Sequence, residues 1–221
     1  MQQRLCDIEG FVLAGGASRR MGADKCRLDI EGATLLERAA AALQTTTART
    51  RVVGRMQSAL AWLWGEEESK IQLSFVADVY RSPDGRAPHS ALTGLHAALW
   101  HARTEWVAVI ACDLPFVTSD LVQRLAAMRT SSERIEAVIP VQPDGRLQPL
   151  CALYRRTPCL RRATEALDEG DYSLHSFLGR LSTRKVPAHE LADLPDARRF
   201  FVNVNTPEDY AKANDERMSA E

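Results

Sequence analysis

A glycine-rich and cationic stretch follows the first apolar run of the chain, Ile8 to Leu13. It reads Leu13-Ala-Gly-Gly-Ala-Ser-Arg-Arg-Met-Gly-Ala-Asp-Lys25. Glycines let a backbone approach a ligand closely and turn its N–H groups towards it. Arg and Lys neutralise phosphate oxygens. The stretch is therefore predicted to bind a polyphosphate.

The spacing of this stretch excludes two common phosphate loops. A P-loop requires a Gly, four residues, then Gly-Lys and Ser or Thr. Here five residues separate Gly16 from Gly22, and Cys26 follows Lys25. The dinucleotide fingerprint Gly-x-Gly-x-x-Gly is absent from the stretch as well. The alternative to phosphate binding is a glycine-rich loop that only reverses the chain direction.

The stretch ends on a lysine, Lys25, in a chain whose basic residues are mostly arginines. Only four of the 28 basic residues are lysines, and Lys25 is the only one in the first 69 positions. A compact ammonium is therefore predicted to be required at position 25, rather than a planar guanidinium.

Two aspartates follow predicted strands. Asp113 comes directly after the apolar run Trp106–Cys112, and Asp78 closes the segment Val76-Ala-Asp78. Ligands of open α/β sheets bind beyond the carboxyl ends of the strands, and a carboxylate at Asp113 suits a Mg²⁺ ion that bridges phosphates. The alternatives are a turn cap before Pro115 and a strand-end Asp78 that faces solvent.

Two further segments carry amides beside apolar residues. Asn203 and Asn205 alternate with valines, so both amides are predicted to lie on one face of a strand. Amide oxygens can bind Mg²⁺ or a substrate, and Asn205 is the better metal candidate because it ends the strand. Arg146 and Gln148 follow a predicted tight turn. They are predicted to face a phosphate or a partner protein; the alternative is that they are only polar surface residues of a hairpin.

Short apolar strands alternate with amphipathic helices, which predicts a mostly parallel sheet covered on both faces. The predicted strands are Ile8–Leu13, Val52–Val53, Ile71–Val76, Trp106–Cys112, Ala137–Val141, Pro149–Tyr154 and Phe201–Val204. The predicted helices are Leu35–Leu43, Gln57–Trp64, Leu92–His101, a segment from Thr118 to about Arg129, Pro158–Glu169, Ser173–Leu181 and a last one capped by Thr206.

A tight turn at Pro143–Gly145 makes the flanking strands a hairpin rather than a crossover, so the sheet is expected to be mixed. We expect one α/β domain at residues 1–217 and a frayed tail at 218–221. The segment Ser182–Arg199 shows no recognisable pattern.

Bulk composition narrows the function classes. The formal net charge of −1 does not favour general binding to nucleic acid or membranes. The sequence has no apolar run near the ~18–20 residues of a membrane span, and its first residues lack the apolar core of a signal peptide. The five cysteines form no C-x-x-C pair, which argues against a disulfide framework or a zinc site. A cytoplasmic location is expected.

The glycine-rich stretch resembles the nucleotidyltransferase signature Leu-Ala-Gly-Gly-x-Ser-x-Arg-Met-Gly-x-Asp-Lys at every specified position. Within that superfamily, the chain is most similar to the molybdenum cofactor guanylyltransferases. Three further segments fit the family, namely Asp113–Pro115, Arg146–Tyr154 and Phe201–Asp209. Ser90 and Ala91 replace the Gly-Pro of the family before Leu92.

The resemblance implies a Rossmann-like three-layer fold and the transfer of GMP from GTP to molybdopterin, with release of pyrophosphate. It assigns catalytic roles to Arg20, Lys25 and Asp113, with Mg²⁺ as cofactor on Asp113 and Asn205. It assigns nucleotide binding to Leu13, Ala14, Gly15, Gly16, Gly22, Lys25, Asp78, Leu92, Gly94 and Asp113. Gln148 and Asn203 are candidates for contact with the pterin substrate.

The implied partners are GTP and molybdopterin, together with molybdenum insertion proteins and molybdoenzyme chaperones. Three alternatives remain at this stage: a molybdopterin cytidylyltransferase, a sugar-phosphate nucleotidyltransferase, and a non-catalytic nucleotide-binding cofactor chaperone. The sequence Leu13–Gly16 is more similar to the guanylyltransferases than to the cytidylyltransferases. The presence of Lys25 and Asp113 argues against a non-catalytic protein.

Overall fold

The computed structural model of the protein describes residues 5–14, 25–54, 73–82, 85, 88, 90–129 and 134–215. Its strands are β1 Leu5–Leu13, β2 Asp29–Ile30, β3 Ala33–Thr34, β4 Thr47–Gly54, β5 Ser74–Ala77, β6 Trp106–Ala111, β7 Ala137–Pro140, β8 Cys151–Arg155 and β9 Thr183–Val186. Its α-helices are α1 Leu35–Gln44, α2 Ala91–His101, α3 Ser119–Ala127, α4 Arg156–Asp168, α5 Leu174–Gly179 and α6 Pro207–Asp215. Two 3-10 turns cover Lys25–Arg27 and Ala188–Glu190.

Seven strands form one sheet in the order β5-β4-β1-β6-β8-β7-β9. Strand β8 is antiparallel to both of its neighbours, and the other strand pairs are parallel. The predicted mixed sheet is therefore confirmed, as is the hairpin between β7 and β8. The carboxyl ends of the six parallel strands meet at one edge, which is the edge where open α/β sheets bind ligands.

The core has a layer on each face of the sheet because side chains alternate along the strands. In β6, Ala108 and Ile110 pack into the cluster that holds α1 and α3. Val107 and Val109 pack into the cluster that holds α2, α4 and α5. Every residue of β6 is buried, so this central strand offers a fixed platform for the residues that follow it.

Local capping signals in the sequence set where three helices begin. Thr34 and Glu37 form a capping box at the start of α1, with N–H to side-chain oxygen distances of 2.8 and 3.2 Å. Thr118 accepts from the first turn of α3, and Thr206 accepts the Asp209 N–H at the start of α6. The predicted starts of these three helices are therefore confirmed. They could be predicted because a cap depends only on residues that are close in sequence.

Two segments differ from the sequence expectations. The segment Phe201–Val204 is not a strand; its only tie to the sheet edge among the described residues is the Val204 N–H, which donates to the Asp113 carbonyl at 3.0 Å. The unpatterned segment contains β9, which pairs in parallel with β7. The predicted helix Gln57–Trp64 lies outside the described residues. No helix in the described part of the chain is long and apolar enough to span a membrane.

Candidate active site

Lys25 lies between two oxygen-bearing side chains that come from distant parts of the chain. Its Nζ atom donates to Asp113 Oδ2 at 3.1 Å and to Asn205 Oδ1 at 2.6 Å. The side chains of Lys25 and Asp113 are 13% and 25% exposed, so the cluster is partly shielded from water and still reachable by a ligand. The structure thus brings these three expected site residues into direct contact.

A small apolar cluster joins chain segments that neighbour the three site residues in sequence. Lys25 opens a 3-10 turn in which Cys26 is buried, and the Leu28 N–H donates to the Lys25 carbonyl at 3.2 Å. The cluster joins the β2–β3 hairpin, α1, the segment after β6 and α6, and its buried members are Ile30, Leu35, Phe116, Val204 and Ala213. It therefore fixes the three site side chains relative to one another.

Asp113 is held at the carboxyl end of β6 from two sides. The preceding residue, Cys112, donates its N–H to the Leu13 carbonyl at 3.1 Å, which ties this end to β1. The Asp113 carbonyl accepts the Val204 N–H at 3.0 Å. The second bond links Asp113 to the segment that carries Asn205, so the two side chains keep their mutual position.

Asp209 holds the turn that presents Asn205. Its Oδ2 atom accepts the backbone N–H groups of Asn205 and Thr206, each at 2.9 Å. The bond from the Asn205 N–H, followed by those from Thr206, lowers the pKa of the Asp209 carboxyl. Sequence analysis placed Asp209 only within the family-like segment Phe201–Asp209 and missed this positioning role, although an Asn directly before a capping Thr was a usable signal.

Asp113 and Asn205 direct one carboxylate and one amide oxygen towards the same point. Each oxygen is within hydrogen-bonding distance of a single ammonium nitrogen, so one cation can contact both. Such oxygen ligands suit Mg²⁺, which commonly binds through one or two carboxylates together with substrate phosphates and water. The donor set therefore fits a divalent metal.

Asp78 lies at the same edge of the sheet but away from this cluster. It follows β5, which is three strands from β6, so about 14 Å separates the two strand ends at the usual strand spacing. Its Oδ1 atom accepts the Tyr80 N–H at 3.2 Å. A carboxylate oxygen has two lone pairs, so the half-buried Asp78 still has the capacity to accept from a ligand.

The end of β1 meets the beginning of α2. A Cβ atom on Gly94 would lie 3.6 Å from Leu13 Cδ1, and Leu92 is fully buried. The Ala14 N–H donates to the Val53 carbonyl at 2.9 Å, which extends the β1–β4 pairing by one residue. The structure therefore places Leu13 and Gly94 side by side, with Ala14 next in the chain.

The segment Leu92–Gly94 forms the first turn of α2, which confirms the predicted helix Leu92–His101. Ser90 Oγ accepts the Thr93 N–H at 3.1 Å, and Thr93 Oγ1 accepts the Ser90 N–H at 3.3 Å. This reciprocal cap fixes the helix start through hydrogen bonds. The chain thereby compensates for the Pro that Ala91 replaces.

The two candidates for pterin contact are not joined to the Lys25 cluster. Gln148 is 7% exposed and donates its backbone N–H to the Pro140 carbonyl at 2.9 Å. Asn203 turns its amide back to the Phe201 carbonyl at 3.2 Å. The expectation that Asn203 and Asn205 share one strand face is wrong, because this segment is not a strand.

Residues 15–24 of the glycine-rich stretch lie outside the described residues. Four predicted site residues fall in this range, namely Gly15, Gly16, Arg20 and Gly22. Their predicted roles in phosphate binding stay predictions. The two ends of the stretch, Ala14 and Lys25, are described, and both lie at the carboxyl edge of the sheet.

The chain is similar to named proteins over almost its whole length. A probable molybdenum cofactor guanylyltransferase of Pelotomaculum thermopropionicum is 32% identical to this chain over 204 residues, which cover 92% of this chain and 90% of that protein. A molybdenum cofactor guanylyltransferase of Vibrio parahaemolyticus is 32% identical over 205 residues, covering 91% and 92%.

The fold is shared with a solved structure, that of molybdopterin-guanine dinucleotide biosynthesis protein A from Archaeoglobus fulgidus. The TM-score is 0.74 at 24% identity, and the match covers 96% of this chain and 99% of that chain. The family model described as the MobA-like NTP transferase domain matches residues 10–186, which include Lys25 and Asp113. The chain belongs to the MobA-like NTP transferase family.

Proposed function

We propose that this protein transfers GMP from GTP to molybdopterin and releases pyrophosphate. The proposal rests on one observation above the others: Lys25, Asp113 and Asn205 converge at the carboxyl edge of a mostly parallel sheet. That edge is where such sheets bind ligands. The relatives described above, named for guanylyl transfer to molybdenum cofactor, support the choice of substrates.

The reaction is a phosphoryl-type displacement that needs no nucleophile from the protein. A terminal phosphate oxygen of molybdopterin attacks the α-phosphorus of GTP. The bond from the α-phosphorus to its bridging oxygen breaks, and both electrons leave with pyrophosphate. Catalysis of this kind depends on positioning and on stabilising negative charge.

The residues of the cluster would have different roles in positioning the substrates and stabilising negative charge. The Lys25 ammonium neutralises charge on the triphosphate and on the departing pyrophosphate. Asp113 and Asn205 would hold Mg²⁺, which supplies Lewis-acid polarisation of the phosphate oxygens when it is bound. Asp209 keeps Asn205 in place through two backbone hydrogen bonds.

Asp78 is our candidate for recognition of the guanine base. Its distance of about 14 Å from the end of β6 separates the base from the reacting phosphates, as an extended nucleotide requires. Guanine presents two adjacent N–H donors, which a carboxylate accepts as a pair. Leu13, Ala14, Leu92 and Gly94 would then line the space between the base and the phosphates.

Replacing the carboxylate that would hold the metal tests the proposal. We expect Asp113→Ala to abolish transfer of label from α-labelled GTP to molybdopterin, while the unfolding midpoint changes little, because Asp113 is a rim residue. The matched control is Asp7→Ala, which removes an exposed carboxylate near the amino end of β1. Metal-dependent transfer at the wild-type rate in Asp113→Ala would overturn the assignment.

A further inference from the structure

Two cysteine sulfurs lie against each other directly behind the Lys25 cluster. Cys26 Sγ and Cys112 Sγ are 3.3 Å apart, although 86 positions separate them in the sequence. Both residues are buried, at 4% and 7% exposure. Cys26 is the residue after Lys25, and Cys112 is the residue before Asp113. The thiol pair is therefore linked by single peptide units to the two charged groups of the site.

We propose that Cys26 and Cys112 form a reversible disulfide that lowers the nucleotidyl transfer activity of the neighbouring site. The effect on activity rests on the function proposed above, whereas formation of the bond does not. A disulfide has a sulfur–sulfur distance of about 2.0 Å, so the two sulfurs have to approach by about 1.3 Å. Cys26 lies in a 3-10 turn and Cys112 in the turn directly after β6. The approach therefore acts on the one hydrogen bond from the Cys112 N–H to the Leu13 carbonyl, which lies beyond the paired residues of β6.

The oxidant that suits this pair is a hydroperoxide, because both sulfurs are buried and only a small molecule reaches them easily. One thiol is oxidised by hydrogen peroxide to a sulfenic acid, with release of one water. The second thiol then attacks that sulfur, the sulfur–oxygen bond breaks, and a second water leaves. The two thiols together lose two electrons and two protons, and the peroxide is reduced to water. A dithiol reductant restores both thiols by exchange.

The other cysteines do not offer the same chemistry. Burial raises the pKa of the Cys151 thiol to about 12, and it also raises the pKa of Cys159. Among the described residues, neither has a second sulfur in contact with it, as Cys26 and Cys112 have. Cys159 moreover donates its S–H to the Glu136 carbonyl at 3.2 Å. Cys6 is exposed and is therefore the natural control for surface oxidation.

The bond would act on the site through the backbone. Drawing Cys26 and Cys112 together moves the adjacent Lys25 and Asp113, whose Nζ–Oδ2 distance is now 3.1 Å. A displacement of about 1 Å in a reacting constellation is sufficient to cost on the order of 10²-fold in rate. We expect the oxidised protein to lose at least about tenfold in turnover, and the loss to be reversed by dithiothreitol.

The experiment treats the full-length Cys6→Ser protein with hydrogen peroxide and divides each sample between two measurements. A non-reducing digest read by mass spectrometry detects a peptide pair joined through Cys26 and Cys112. Guanylyl transfer is measured in parallel, before and after reduction. The comparison variant is Cys6→Ser with Cys26→Ala, which keeps Lys25 and Asp113 and cannot form the bond. We expect peroxide to link and inhibit the first protein, and to leave the turnover of the second within about twofold.

Each outcome has a separate meaning. Absence of the linked peptide pair, or a linked protein with undiminished turnover, overturns the proposal. Equal inhibition of the Cys26→Ala protein also overturns it, because the loss would then come from another site. If the reduced protein shows no guanylyl transfer while the linked pair still forms, the proposed function fails and the inhibitory effect fails with it. In that case the linked peptides in the mass spectrum still establish that the disulfide forms.

Discussion

At the scale of single residues, the candidate site is built around one ammonium that contacts two oxygens from distant parts of the chain. Lys25 reaches Asp113 and Asn205 with one nitrogen. A guanidinium is planar and spreads its donors over a fork, so it does not place its charge at the same point. This geometry gives a physical reason for a lysine in a chain whose cations are almost all arginines.

We expect Lys25→Arg to lower kcat by ~10²–10³, the usual loss when one contact that stabilises transition-state charge is removed. The charge is retained in this variant, so the result isolates geometry. The matched control is Lys185→Arg on the exposed side of β9, which should be neutral. If Lys25→Arg keeps a kcat within about twofold of the wild type, the shape of the cation is unimportant.

His96, which lies outside the Lys25 cluster, gives the protein a pH-dependent stability. Thr164 donates its hydroxyl hydrogen to the Leu160 carbonyl at 2.9 Å, so its oxygen accepts from His96 Nε2 at 3.1 Å. His96 Nδ1 is buried and, among the described residues, has no hydrogen-bond partner. Burial lowers the pKa of His96, and the charges of Asp78 and then Asp168 oppose the shift only in part.

The sign of the effect follows from that lowered pKa. In the unfolded chain this histidine takes up a proton near pH 6.5. In the folded protein it takes up the proton only at a lower pH. The contribution of neutral His96 to the free energy of unfolding is complete above pH 6.5 and falls as the pH drops towards the lowered folded pKa. The slope for one proton is at most about 1.4 kcal/mol per pH unit.

Urea unfolding between pH 8 and pH 5 measures this slope. We expect the decrease below pH 6.5 to be smaller in His96→Gln, whose side-chain amide can still donate to Thr164. A variant as steep as the wild type would show that His96 does not titrate in the way its burial requires.

At the scale of elements, α1 and β4 pack unusually close to the middle of β1. A Cβ atom on Gly10 would lie 2.9 Å from Thr47 Oγ1 and 3.0 Å from Leu43 Cβ. Thr47 is itself held by its hydroxyl, which donates to the Leu43 carbonyl at 2.9 Å. The absence of a side chain at Gly10 is therefore what lets the helix end approach the sheet.

We expect Gly10→Ala to lower the free energy of unfolding by about 1–3 kcal/mol, the usual cost of overpacking a core. Gly179→Ala in α5 is the matched control, since no atom lies within 4 Å of the Cβ it would add. Chemical denaturation of both variants makes the comparison. Equal midpoints would mean that α1 shifts at little cost.

Elements with a local signal were predictable from the sequence, and elements defined by distant contacts were not. The wholly apolar β6 and the Thr34–Glu37 cap carry their information in adjacent residues. The polar edge strand β9 reads Thr-Arg-Lys-Val, which no periodicity marks. Conversely, alternation of Asn and Val imitates a strand at Phe201–Val204, where a single hydrogen bond to the Asp113 carbonyl sets the path.

The same distinction applies to the site. The sequence identified Lys25, Asp113 and Asn205 one by one, because each stands at the end of a recognisable segment. Their contact depends on the strand order and on the packing of α6, which no local pattern shows. The thiol pair Cys26–Cys112 was not predicted for the same reason, since 86 positions separate its members.

At the scale of the whole molecule, the sheet order spreads the proposed nucleotide along one edge. In the proposed function, the phosphates lie near Lys25 and Asp113 beyond the end of β6, and the base lies near Asp78 beyond the end of β5. The assignment of residues 1–217 to one domain stays a prediction. The choice of base is then a property of the β5 side of the molecule.

Competition between GTP and CTP for a limited pool of molybdopterin tests this account most directly, with the pterin products separated by mass. Asp78 can pair with the two adjacent N–H donors of guanine, whereas cytosine offers one amino group on its pairing edge, and a polar site that loses such a partner typically rejects the ligand by several kcal/mol. We predict that the GMP adduct dominates in the presence of Mg²⁺, and that Asp78→Asn erodes the preference more than it lowers the maximal rate. An excess of the CMP adduct, or no nucleotide adduct at all, would contradict the proposed guanylyl transfer.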